Sequence, residues 1–63
     1  MKYYQVDQGI HYVTKSCEDF QDAIDRDLIK EADPKYGASW GTGIFSFDGK
    51  EIKCVRENWD SSG

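Results

Sequence analysis

Between Ser16 and Pro34 the sequence reads as a helix whose two ends are marked and whose one side is dry, and the rest is expected to fold around it. Ser16 is placed to cap the first turn through its hydroxyl, and Asp19 stands where a carboxylate can reach back in a capping box. Glu18, Asp19 and Asp22 oppose the positive end of the helix dipole. Cys17, Phe20, Ile24 and Leu28 recur at three- and four-residue spacing, with Ala32 close to the same stripe. This pattern predicts an amphipathic helix about four turns long. Pro34, which cannot continue a helix, ends it.

The flanking segments read as strands. Tyr3 to Asp7 and Ile10 to Lys15 are rich in Tyr, Val and Ile and are separated by Gln8 and Gly9, which predicts a first hairpin. A two-residue turn would align Tyr4, Val6, His11 and Val13 on one face. A three-residue loop would align Tyr4, Val6, Ile10 and Tyr12 and bury more apolar area. Downstream, Ile44 to Phe47 and Lys50 to Arg56 flank Asp48-Gly49, a pair that favours the positive φ angles of hairpin turns. This second hairpin places Phe45, Phe47, Ile52 and Cys54 on one face and Ser46, Glu51, Lys53 and Val55 on the other. The expected fold is α+β, in the order ββαββ: one antiparallel sheet of two hairpins packed on a single amphipathic helix. One domain is expected over residues 1–60, with 61–63 a disordered tail.

At 63 residues, such a domain buries only about 60% of the surface its unfolded chain exposes. Four Tyr, three Phe and two Trp supply large burial per residue and make a folded state reachable. The thin margin leaves little room for the buried charges of an enzyme site, and no catalytic motif is found. His11 is the sole histidine, so a nucleophilic pair with Cys17 or Cys54 would lack any indicated orienting acid. The same residues have no paired-ligand spacing for zinc, and Asp25 and Asp27 lack the glycine and alternating oxygens of a calcium loop. No enzyme activity, cofactor or metal is expected. Two cysteines are too few for a disulfide framework, and both are expected as buried free thiols in a reduced compartment.

Charge points to function. The segment from Cys17 to Asp33 holds seven acids against two bases, and the rest of the chain five against six. On a continuous helix, Glu18, Asp22, Asp25 and Asp33 fall opposite the apolar stripe with Ile29 among them. That arrangement predicts an anionic contact face with Ile29 as a hydrophobic anchor. The Pro34 to Gly43 connection, with Tyr36 and Trp40, reads as a binding loop. A net charge of −4 disfavours nucleic acid and anionic membranes as partners.

The expected activity is that of a non-enzymatic inhibitor, phage-encoded and cytoplasmic in a bacterial host. Its acidic helix would block the basic surface of a polymerase, nuclease or defence complex, acting as monomer or homodimer. The order hairpin, helix, strands resembles that of a small phage protein that inhibits bacterial RNA polymerase; the resemblance covers element order alone and carries no residue across. The alternative is a nucleic-acid-binding module that stacks bases on Tyr3, Tyr12 and Trp40 and holds phosphates with Lys2, Lys15, Lys50, Lys53 and Arg56.

Overall fold

A computed structural model describes residues 1–59; the expected 61–63 tail lies outside them. The elements are β1 (Lys2–Asp7), α1 (Gln8–His11), α2 (Cys17–Asp25), β2 (Lys30–Glu31), a 3-10 turn (Pro34–Tyr36), β3 (Thr42–Phe47) and β4 (Ile52–Asn58). They form one four-stranded antiparallel sheet in the order β2-β1-β3-β4, with α2 on one face. The α+β class, the single antiparallel sheet and the single amphipathic helix are as expected.

The first hairpin is not formed. Chain 10–15 is no strand: β1 runs into the short α1 and then a turn in which Val13 N–H donates to the Ile10 carbonyl and the Thr14 hydroxyl donates to the same oxygen at 3.0 Å. Gln8-Gly9 is a poor hairpin turn, since Gln8 resists positive φ, and Gly9 does not adopt it. β1 gains more as a central strand. It pairs with β3 over six residues, setting Tyr4 opposite Phe45, and its other edge takes β2 from beyond the helix. The element order therefore departs from that of the phage inhibitor.

Ser16 does cap α2, its hydroxyl oxygen accepting from Asp19 N–H at 3.0 Å. The helix, however, is nine residues long and stops at Asp25. Asp27 takes a φ of +61°, Asp27 N–H donates to the Ile24 carbonyl and Leu28 N–H to the Ala23 carbonyl. These two bonds form a Schellman ending, in which a left-handed residue satisfies the last carbonyls. The turn resets the helical phase. Leu28, expected in the core, is 53% exposed, whereas Ile29, expected among the acids, is 4% exposed and packs with the core.

That core lies between α2 and one sheet face. Phe20 meets the ring of Tyr4 edge-on at 5.7 Å and that of Phe47 at 4.8 Å, with Val6, Ala23, Ile29 and Phe45 around them. Burying a ring such as Phe20 stabilises by about 1.5–3 kcal/mol. The opposite face is also dry: Ile44 is fully buried there, with Thr42 and Ser46 beside it. The segment 32–41 returns over this face as a strap. Ala32 N–H donates to the Tyr3 carbonyl, Asn58 Nδ2 to the Ala38 carbonyl, and the Thr42 hydroxyl to the Ser39 carbonyl.

The second hairpin forms with a longer loop, because Phe47 pairs with Ile52 rather than Lys50. Asp48 Oδ1 accepts from both Lys50 and Glu51 N–H at 2.9 Å, and Gly49 supplies the positive φ of 91°. A shift of two residues preserves which face each side chain takes. Cys54 thus shares a face with Phe45, as expected, yet on the edge strand it is exposed, and Cys17 is half-buried; both are free thiols, neither of them fully buried. Further along, Val55 is bulged out: Phe45 pairs with Cys54 but Ile44 with Arg56. The extra residue turns Arg56 onto the strap face.

Candidate interaction surfaces on the two faces of the sheet

From Cys17 to Asp27 the chain holds five acids and one base. Glu18, Asp22 and Asp25 stand on the outward side of α2 and are exposed. Gln21 Nε2 donates to Asp25 Oδ1 at 3.0 Å, and Arg26 pairs with Asp22 at 3.1 Å with both side chains largely in water. Such exposed pairs contribute 1 kcal/mol or less and leave the carboxylates open to a partner. An open depression of about 420 Å³, lined by Glu18, Gln21, Asp22 and Asp25 with Phe47 and Gly49, joins this face to the β3–β4 turn.

The other expected contact residues are not brought to it. Asp33 is off the helix, and its carboxylate accepts from Lys35 N–H at 2.9 Å to cap the 3-10 turn. Ile29 is in the core and cannot anchor a partner. Tyr36 and Trp40 are 83% and 74% exposed, but on the strap, across the sheet from α2. Trp40 also sits near Thr42 and the acidic face near Phe47. These are opposite ends of β3, about 17 Å apart at 3.3 Å per residue.

On the strap side four basic groups stand among three acids, Asp7, Asp33 and Glu51, the last paired with Lys53 at 3.9 Å. Lys30 pairs across from Gln5, Lys53 from Ser46 and Arg56 from Ile44, all on the face away from α2. Lys35 Nζ lies 5.9 Å from the Tyr36 ring centroid, and the Arg56 guanidinium borders Gly37. Arg56 reaches this face only through the Val55 bulge, which no sequence signal announces.

A third cluster closes the Thr42 end. The His11 ring stacks on Phe45 and on Trp59, each at 5.0 Å, and Lys15 Nζ lies 3.0 Å from His11 Nε2. Burial, with Lys15 next, holds the His11 pKa below its ordinary value against the pull of Glu57. The Cys54 thiol donates to Glu57 Oε2 at 3.9 Å, and burial followed by Glu57 raises its pKa. The raised pKa favours the neutral thiol over the nucleophilic thiolate. Among the described residues no three His, Cys, Asp or Glu side chains gather as metal ligands, and no helix is long and apolar enough to cross a membrane. No known protein family, curated protein or solved structure matches this chain significantly.

Proposed function

We propose that this is a non-enzymatic binding protein that blocks a basic, nucleic-acid-handling surface of another protein with the outward face of α2. The supporting observation is the exposed row of Glu18, Asp22 and Asp25, carried on a helix whose other side is fixed to the sheet by Phe20 and Ala23. Seven residues of helix rise about 10 Å, so the row offers three negative charges over a length in which one strand of DNA carries about three phosphates. Rigid placement lowers the ordering cost of binding. A phage inhibitor of a bacterial polymerase, nuclease or defence complex would use such a surface.

The test is capture from bacterial lysate, identified by mass spectrometry, with wild type beside the Asp22→Lys, Asp25→Lys double variant. Wild type is expected to retain a nucleic-acid-binding protein that added DNA displaces. The variant, its fold checked by circular dichroism, is expected to retain none. Equal capture by the folded variant removes α2 as the contact face.

A further inference from the structure

We propose that the strap face is a second, independent binding surface, and that its ligand is single-stranded nucleic acid. The reading does not rest on the one given for α2, because the two surfaces lie on opposite sides of the sheet.

The first ground is what the strap does with its aromatics. A chain this short has every reason to bury Tyr36 and Trp40, yet they are among its most exposed large side chains. The strap that carries them is nevertheless pinned. Tyr36 N–H donates to the Asp33 carbonyl and Gly37 N–H to that of Pro34. Asn58 holds the Ala38 carbonyl, and Thr42 holds that of Ser39 through both its hydroxyl and its N–H. Gly37 and Gly41, at φ of 78° and 84°, set the two bends around Trp40. The backbone is thus fixed while two flat rings project into water. Rings on a pre-ordered backbone bind at low entropic cost.

The second ground is charge. Lys35 lies over Tyr36 and Arg56 borders Gly37, while Lys53 shares the face and pairs with Glu51 at 3.9 Å in water, an exposed contact that a phosphate can replace. Cations set among exposed rings suit a ligand that is both planar and anionic, with bases stacked on the rings and phosphates on the cations. The acids of α2 lie on the far side of the sheet. The sheet and the layers packed on it put them more than about 10 Å from the strap, beyond the Debye length of about 8 Å at physiological salt. Their repulsion there is weakened, and at low salt it opposes binding only from a distance. On the strap face Lys30, Lys35, Lys53 and Arg56 stand against Asp7, Asp33 and Glu51, four bases to three acids, so the overall charge of −4 does not describe it.

The probe is a fluorescein-labelled dT12, titrated with the whole protein by anisotropy from 20 to 200 mM salt, beside an abasic oligomer of the same length and polyglutamate. The expected result is binding of dT12 that weakens with salt, with a log–log slope of about −2 for three neutralised phosphates on a single strand. Tyr36→Ala and Trp40→Ala should each weaken dT12 binding about 5- to 150-fold. Lys35→Gln should flatten the slope by about 0.7. Both rings are exposed, so these variants keep the fold, which circular dichroism verifies. No dT12 binding at 20 mM salt overturns the proposal. So does equal binding of the abasic oligomer, dT12 binding indifferent to both ring deletions, or binding of polyglutamate alone, which would mark an acidic polypeptide as the ligand.

Discussion

The indole of Trp59 lies directly over Gly43, its Cη2 and Cζ3 atoms 2.9 and 3.0 Å from where a β-carbon would stand. Phe45 Cε1 is 3.0 Å from the same point. A strand glycine here lets the last described aromatic rest on backbone and close the His11–Phe45 stack.

Gly43→Ala should therefore lower stability by about 1–3 kcal/mol through overpacking, read as a drop in the urea midpoint at constant m-value. In a Trp59→Ala background the same substitution should cost clearly less, since no indole remains to be displaced. Equal costs in the two backgrounds would show that the ring does not occupy this place.

Leu28 and Ile29 are neighbours with opposite fates. Ile29→Ala should cost about 2–5 kcal/mol as a cavity in the core. Leu28→Ala should stay within about 0.5 kcal/mol. A helix continued through residue 33 would give the reverse ranking in the same denaturation experiment.

His11 should make stability fall on mild acidification. Its neutral form is favoured in the fold, by burial first and then by Lys15, so its folded pKa lies below the ordinary 6.5. The associated stability is complete above pH 6.5 and is lost as pH falls through the folded value. An NMR titration of the ring should show a midpoint under 6.5, raised by Lys15→Gln and lowered further by Glu57→Gln. The loss of stability below pH 6.5 should be absent in His11→Phe.

Asp48 acts at lower pH. The Lys50 N–H bond first, then that of Glu51, holds its carboxyl below the ordinary 3.8. Stability from this turn is present above that value and lost as pH falls through the folded pKa. Asp48→Ala should therefore be less stable than wild type at pH 7, with the gap narrowing below about pH 4. Asp48→Asn, whose amide oxygen can accept the same bonds, should lose less.

Where sequence and structure agree, the signal was local. The Ser16 cap, the Cys17-Phe20-Ile24 spacing and the faces of the second hairpin all follow from contacts between near neighbours. Where they part, the deciding energy came from afar. The strand pattern at 10–15 lost to a ladder between β1 and β3 some 40 residues apart. Pro34 marked a helix end that Asp27 had already made, and a left-handed aspartate leaves a fainter trace than the usual glycine. For the candidate contact residues this meant that Glu18, Asp22 and Asp25 were legible as a row. Ile29 and Asp33 were not, because both lie beyond the reset of phase.

Val55, the residue without a cross-strand partner, decides on which side of the molecule the following cation emerges. Were the ladder regular with Val55 in place, Val55 would stand opposite Ile44 and the Arg56 guanidinium would pass to the layer of α2, whereas loss of the Val55 codon would leave Arg56 opposite Ile44. The side on which this positive charge emerges is thus set by a slip in pairing at one residue and not by the order of amino acids alone.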